Sequence, residues 1–371
     1  MKCTIPQSAL AAAIDAGGAT VAKKAPIAIL TTLRLTVTDD TLAVASSDMD
    51  RFSEATVGAT GAAPGAACVD AVAFSTLIGK YPKGASVTIE LDGDALRISC
   101  NRSRVRLGTL SAATFPAWAD AEPDARFTIA AKDFARAVGR VKFAAADLSD
   151  AGRWHLQGVR FDYHDGNLHF VAFDGNRIAV SGMSAPAGSD ACPAVTVPIE
   201  AIEAALKVFK DAAVIDFAVS QKAIGFVADG LKLSSRLIDS DKFPDYANGI
   251  PARGNPALTF KRGDFAEALG RAACLVGDGE FSSIIARPDG GTIRIEARNQ
   301  AGGEAIEELA ASIDDGFQPF GFNPRYGAQF IAALNVDEIT IEQSDPNAPH
   351  LIYSNDAPDF VGMVGPVRIA A

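Results

Sequence analysis

The sequence predicts an α+β protein built from three copies of one domain type, and three observations carry that prediction. The phrase D-F-A-R-A-V-G-R at 133–140 returns as D-F-A-E-A-L-G-R at 264–271, with six of eight positions identical. The same order of patterns (strand, helix, hairpin, second helix, strand) is legible three times along the chain. Two of the three passes end on a Phe-Pro pair, Phe115-Pro116 and Phe243-Pro244, at nearly the spacing of the doubled phrase. So wide a period is a whole small domain, since solenoid units run roughly 20–50 residues.

Taken in order, each pass opens on a short β-rich run: Cys3-Thr4-Ile5, Phe127-Thr128-Ile129 and Leu258-Thr259-Phe260. A helix follows. Ser8, Asp133 and Asp264 stand where an N-cap is expected. Leu10 with Ile14, Phe134 with Val138, and Phe265 with Leu269 are i,i+4 apolar pairs on one face. Next come alternating apolar runs around turn residues: 33–37 and 42–45 around Asp39-Asp40, 159–163 and 168–172 around Asp165-Gly166, and 284–287 and 292–295 around Asp289-Gly290-Gly291. These read as hairpins. A second helix is predicted over 72–80, 199–210 and 324–334, each leading into an alternating strand at 87–91, 214–217 and 339–342. The domains are expected at 1–122, 123–253 and 254–371, with linkers rich in Pro, Asp and Gly at 118–125 and 250–256.

The chain has 371 residues, of which 48% are hydrophobic and 21% charged, enough to build real cores and too apolar for a disordered chain. No secretory signal and no membrane-length apolar run is apparent. Cysteines 3, 68, 100, 192 and 274 are scattered, odd in number and without a C-x-x-C pair. They read as small core residues in a reducing cytoplasm, not disulfides or a zinc site. Four histidines, and the lack of a P-loop or nucleophile elbow, leave no catalytic or metal constellation and no cofactor to expect. The net charge of −11 argues against nucleic acid as a partner unless the basic residues gather on one face. Such a face can coexist with an acidic exterior, because exposed charges act over about 8 Å at physiological salt.

Residues 101–110, N-R-S-R-V-R-L-G-T-L, alternate arginine with small or apolar residues, the pattern of an edge strand kept for a chosen partner. An edge of domain one pairing with an edge of domain three in a second copy is a head-to-tail contact, and such contacts can close a ring. Several further segments carry a resemblance: Arg153-Trp154-His155-Leu156-Gln157-Gly158, Asp174-Gly175-Asn176-Arg177-Ile178-Ala179-Val180, Ser235-Arg236-Leu237-Ile238-Asp239 before Phe243-Pro244-Asp245-Tyr246, Phe322-Asn323 with Tyr326, and Pro366-Val367-Arg368-Ile369. In this order on a threefold repeat, the chain resembles the bacterial DNA polymerase III β sliding clamps. The resemblance implies three clamp-type domains, each with two helices on antiparallel sheets, closing as a head-to-tail homodimer around duplex DNA. It further implies a non-catalytic, cytoplasmic processivity factor. Its partners would be the replicative polymerase, the clamp loader and other proteins bearing short hydrophobic clamp-binding motifs, with no membrane role.

On the helices, Arg136 and Arg140 share one face opposite Phe134 and Val138, and Lys207 and Lys210 end the second helix of domain two. Sequence-independent phosphate contacts of this kind permit sliding. Ordinary solvated helix faces are the plain alternative. The resemblance adds Lys24 on a basic loop, and Arg153, Trp154 and His155 at an aromatic DNA contact; a half-buried core aromatic is the alternative for Trp154. It implies a peptide pocket from Leu156, Phe173, Gly175, Asn176, Arg177, Ile178, Pro244, Asn323, Tyr326, Val364, Pro366, Val367 and Arg368, with core packing the alternative for Leu156, Ile178 and Val367. The chain departs from the family where Phe173 replaces a small polar residue, Asn176 a histidine and Val367 a methionine. The ring seam is implied at Arg104, Val105 and Leu107 of domain one and at Cys274 and Leu275 of domain three. Two other readings stand beside this one: a clamp-fold peptide-binding scaffold or decoy that does not encircle DNA, and a hydrolase using acidic residues.

Overall fold

The computed structural model describes residues 1–118, 122–239, 242–276, 283–299 and 301–367. The first repeat runs β1 (Lys2–Pro6), α1 (Gln7–Gly17), β2 (Thr32–Thr38), β3 (Thr41–Ser47), β4 (Arg51–Gly58), β5 (Thr60–Ala63), β6 (Gly65–Asp70), α2 (Ala71–Lys80), β7 (Ser86–Asp92), β8 (Ala95–Cys100) and β9 (Ser103–Leu110). The second runs β10 (Ala125–Ala130), α3 (Ala131–Gly139), β11 (Gly158–His164), β12 (Asn167–Phe173), β13 (Arg177–Ser184), β14 (Val195–Pro198), α4 (Ile199–Val208), β15 (Val214–Val219), β16 (Ala223–Ala228) and β17 (Leu231–Arg236). The third runs β18 (Ala257–Lys261), α5 (Arg262–Val276), β19 (Ile284–Asp289), β20 (Thr292–Arg298), β21 (Glu304–Ile313), β22 (Phe320–Phe322), α6 (Pro324–Ala333), β23 (Glu338–Glu342), β24 (His350–Tyr353) and β25 (Phe360–Val364).

The repeat is visible in how each leading helix begins. Ser8, Asp133 and Asp264 are not the N-caps the sequence suggests; the helices start one to two residues earlier, at Gln7, Ala131 and Arg262. At each of these starts the first helical amide has a backbone partner. The Gln7 amide donates to the Ala85 carbonyl at 2.8 Å, the Ala131 amide to Ala213 at 3.0 Å and the Arg262 amide to Asp337 at 2.9 Å. In every repeat the turn after the second helix thus satisfies a donor that the first turn leaves open. Asp133 and Asp264 instead lie in the first turn, where a carboxylate favours the positive end of the helix dipole. The weaker copy at Met1 shares this device, which is a stronger mark of kinship than its sequence.

The strands assemble into two sheets, each within one compact unit. The first unit (1–135, 186–193 and 200–238) holds a 13-stranded sheet in the order β10-β15-β16-β17-β4-β3-β2-β6-β9-β8-β7-β1-β5. The second (136–185, 194–199 and 239–371) holds a 12-stranded sheet in the order β14-β11-β12-β13-β25-β24-β23-β18-β21-β20-β19-β22. The middle repeat therefore gives strands to both. It continues the first sheet through β17 on β4 (Ser234 opposite Phe52) and the second through β13 on β25 (Ile178 opposite Met363). Pairing among the described strands is antiparallel, as hairpin-built sheets require.

Helices α1, α2 and α5 pack against the strands of their own repeats. In the first unit α1 packs on α2, and a Cβ at Gly17 would fall 2.1 Å from the Val44 carbonyl, so glycine there is what lets the helix close onto the strand. Phe74, Leu10 and Ile14 join Leu35, Val44 and Ile89 in the core beneath. Arg34 on β2 lies over the Phe115 ring at 4.7 Å, and Arg160 on β11 lies over Phe243 at 5.1 Å. The recurrent Phe-Pro ends are thus buried aromatics, each roofed by an arginine from the first strand of its hairpin. Cys3, Cys68, Cys100 and Cys192 are buried as expected, but Cys274 is exposed on α5, so the core reading fails for that residue. It follows the buried Ala272 by two residues and falls off the helix's apolar face. Among the described residues no helix is long and apolar enough to cross a membrane.

Candidate functional site

The densest gathering of sequence-predicted site residues is in the second unit, where β13 meets β25. The turn Asp174-Gly175-Asn176-Arg177 builds one side. The Asp174 carboxylate accepts from the Asn176 amide at 2.8 Å and the Arg177 amide at 3.0 Å, an Asx-type turn. Gly175 sits at φ +95°, a conformation that L side chains avoid. The same carboxylate takes the Arg177 Nε at 3.0 Å. The remaining Arg177 donors reach the Phe143 carbonyl at 2.7 Å and the Gln329 side chain, and its guanidinium lies 4.3 Å from the Tyr326 ring centre. Burial pulls the Arg177 guanidinium below its ordinary value, and the adjacent Asp174 opposes that pull. A buried arginine so fully partnered is a fixed post.

Beside it lies an apolar bed. Leu156, Val171, Ile178, Val180, Phe243 and Tyr246 form one cluster, with Phe173, Ile250, Val361 and Met363 half-buried against it. Asn176 donates to the Tyr326 hydroxyl at 3.4 Å, and the Gly365 amide donates to the Asn176 carbonyl at 2.8 Å, tying the chain after β25 to the turn. Pro244 is exposed beside buried Phe243. Asn323 is buried and caps α6, accepting from the Arg325 amide at 2.9 Å, so it positions Tyr326 through the helix start. Val367 donates its amide to the Gly321 carbonyl at 2.8 Å, and Pro366 is half-buried before it. Val364 points into the phenylalanine core of the third repeat, lining an apolar cavity of about 20 Å³ with Phe265, Phe330 and Ile352. Strand alternation puts Val361 and Met363 on the bed's side instead. Arg368 lies outside the described residues. Sequence reasoning missed Met363, Gln329 and Phe143. Register gave the only signal for Met363, and the other two come from elements far apart in the chain.

The expected DNA-contact residues lie in different settings. Lys24 is exposed in the loop after α1. Arg136 and Arg140, one turn apart on and just after α3, both reach Asp359, at 2.9 and 2.8 Å. Arg153 is spent locally: its Nε bonds Asp150 at 2.6 Å and its Nη1 the Asp174 carbonyl, bracing the Gly175 turn. Trp154 is 41% exposed with the Lys242 ammonium 4.9 Å from its ring centre, and His155 stands edge-on to it at 6.0 Å. Lys207 pairs with Asp15 at 2.6 Å and Lys210 with Asp211 at 3.8 Å.

The expected seam residues are on sheet margins. β9 pairs with β8 along its length but with β6 only at Thr109 and Leu110, which leaves one edge of 103–108 open. Its exposure alternates, with Arg104 and Arg106 outward and Val105 and Leu107 half-buried. β21 pairs with β20 along 304–310 but with β18 only at 311–313, leaving a second open edge. Glu304 and Glu308 are exposed there. Exposed Cys274 and half-buried Leu275 lie near the end of α5, which packs on β21.

Family models for the DNA polymerase III beta subunit match almost the entire chain: the N-terminal domain over residues 1–119, the central domain over 128–245 and the C-terminal domain over 248–368. The beta sliding clamp of Caulobacter vibrioides is 28% identical over 384 residues, covering all of both chains. Solved DNA polymerase III beta subunits from Bartonella birtlesii (TM-score 0.94, 25% identity) and Pseudomonas aeruginosa (0.93, 26%), each bound to griselimycin, also align over the full length of both chains. A threefold repeat, two open sheet edges and an arginine-posted apolar bed thus meet full-length likeness in sequence and structure, and the chain belongs to the DNA polymerase III beta subunit family, the β sliding clamps of DNA replication.

Proposed function

We propose that this chain works as a non-catalytic processivity factor in the cytoplasm: two copies join head to tail around duplex DNA, and short hydrophobic peptides of the replicative polymerase, the clamp loader and other DNA-processing proteins dock on the bed beside Arg177. The three repeats are assigned to 1–122, 123–253 and 254–371. The observation that carries the assembly is the pair of open edges of opposite charge, β9 with Arg104 and Arg106 outward and β21 with Glu304 and Glu308 outward. An edge of one copy laid on the other edge of a second copy satisfies both sets of backbone groups, with Val105, Leu107, Cys274 and Leu275 around the join. Like edges would set like charges opposite each other, a cost that selects the head-to-tail pairing.

On the DNA side, Lys24, Arg136, Arg140, Lys207 and Lys210 offer sequence-independent phosphate contacts, and the exposed Trp154 ring, with His155 edge-on to it, offers an aromatic one. For partners, the bed of Leu156, Phe173, Ile178 and Met363 takes apolar side chains, while Asn176, Arg177 and Tyr326 fix their register. Phe173 occupies space on that bed, so the preferred anchor is smaller than in relatives with a small residue there.

The test is retention on DNA. Loaded onto a nicked circle, the protein should remain through gel filtration and leave once the circle is cut. Equal retention on linear DNA, or a monomer in sedimentation at micromolar concentration, would sink the reading. A leucine- and phenylalanine-bearing peptide should lose at least tenfold in affinity for Arg177→Ala, with the dimer intact.

A further inference from the structure

We propose that Asp359 limits the grip on DNA by competing with phosphate for Arg136 and Arg140. The inference rests on the reading of α3 as a DNA-facing helix. One carboxylate spans both guanidiniums: Oδ2 stands 2.9 Å from Arg136 Nη1 and Oδ1 2.8 Å from Arg140 Nη1. The arginines belong to the second repeat and the carboxylate lies just before β25 in the third, so the fold and not the sequence brings them together. Backbone bonds anchor the segment that carries the carboxylate. The Asp359 carbonyl accepts from the Gly182 amide at 2.7 Å, and the Phe360 amide donates to the Ala357 carbonyl at 3.0 Å, closing a turn ahead of the strand. These bonds hold the main chain at Asp359 without help from either arginine.

The arrangement is open to solvent on one side. The side chains of Arg136, Asp359 and Arg140 are 46%, 27% and 13% exposed. Nearly half of the Arg136 side chain stays in contact with solvent, so a phosphate can still approach it. A phosphate there meets two arginine charges offset in part by the Asp359 carboxylate: an attraction, but a reduced one. A contact of this kind suits a protein retained on DNA by topology. Retention needs no tight phosphate contact, and every tight contact would have to break at each step of sliding. Two other helix cations have carboxylate partners as well, Lys207 with exposed Asp15 and Arg271 with half-buried Glu307. Asp359 differs from these in holding two arginines at once from a hydrogen-bonded turn.

The experiment is a salt series with the full-length chain and an end-labelled duplex, read by fluorescence anisotropy. Asp359→Asn keeps the shape and an acceptor oxygen while removing the charge. It should bind the duplex about three- to tenfold more tightly at low salt, with the slope of log K against log salt steeper by about one. Adding Arg136→Gln and Arg140→Gln should cancel the gain. Asp165→Asn removes one charge from an exposed hairpin turn and touches neither arginine, so it should give a clearly smaller gain; an equal gain would overturn the proposal. Unchanged or weaker binding by D359N overturns it too, provided that R136Q/R140Q weakens the unmutated chain. If R136Q/R140Q leaves that chain unaffected, the DNA-facing reading of α3 itself fails and takes this inference with it. Should D359N not fold by its thermal melt, Asp359→Ala makes the same charge change.

Discussion

The two copies of the doubled phrase agree on one face and diverge on the other. In α3, Phe134, Ala137 and Val138 are buried; in α5, Phe265, Ala268 and Leu269 take the same places and are equally buried. On the opposite face Arg136 answers to Glu267. Arg140 joins Arg136 on the distant Asp359, while Arg271 turns to Glu307 at 2.7 Å and to its own helix neighbour Glu267 at 3.8 Å. Identity is kept where volume must be filled. Where only water or a ligand is met, charge is free to vary, so the repeat fixes a scaffold and leaves electrostatics to each copy.

The buried side of the comparison predicts the largest effects, and they should match. Phe134 meets Phe217 edge-on at 5.3 Å and Phe226 at 6.0 Å; Phe265 stacks on Phe260 at 4.2 Å and lies 6.2 Å from Phe322. Phe134→Ala and Phe265→Ala should each cost about 3–5 kcal/mol by urea unfolding. If one proves tolerant while the other unfolds the chain, the likeness of the two cores is only formal.

Acid should separate the repeats. His350, in the third, is fully buried against Phe320, both ring nitrogens without a hydrogen-bond partner, and burial pushes it down to about 4. At neutral pH it is uncharged both folded and unfolded. As pH falls through 6.5 the unfolded chain takes up a proton that the folded chain refuses until about 4, so stability is complete above the upper value and drains away across that window, by at most about 3 kcal/mol. His169, stacked on His164 in the second repeat, is also lowered, by burial and then by its neighbour, and adds to the slope. Subtraction isolates the third repeat: His350→Phe should lose less stability than the unmutated chain between pH 7 and pH 4.5. Parallel losses would mean that the imidazole is not held neutral.

Much of this was legible in the sequence because repetition supplies an internal control. Helices, hairpin turns and buried Phe-Pro ends follow from period, turn chemistry and apolar spacing, all local properties. The Asp174-Gly175 turn and its arginine are legible for the same reason, since donor, acceptor and positive-φ glycine are close neighbours in the chain. Helix starts were misplaced because the capping groups are the carbonyls of Ala85, Ala213 and Asp337, each at the far end of its repeat's second helix and out of reach of any local pattern. Asp359 was invisible too: nothing near it in sequence marks it as the partner of two arginines in another repeat. On the apolar bed Met363 stands where the sequence reading has Val364, because alternation on a strand is certain only once its pairing is known.

The charged face predicts smaller, unequal effects. Arg136→Glu with Arg140→Glu puts three carboxylates together around Asp359, and duplex binding should fall by about ten- to a hundredfold with a shallower salt dependence. The corresponding change in α5, Arg271→Gln, should do least. Its guanidinium is exposed and already shared between Glu307 and Glu267, and the Arg271 pairing holds the Glu307 carboxyl below its usual range. Exposed pairs of this kind contribute little to stability and are screened by salt. Arg271→Gln should therefore leave both the unfolding midpoint and the duplex affinity unchanged at physiological salt. A loss approaching that of the α3 double reversal would show that α5 meets DNA as α3 does, and that the charge difference between the two copies has no mechanical meaning.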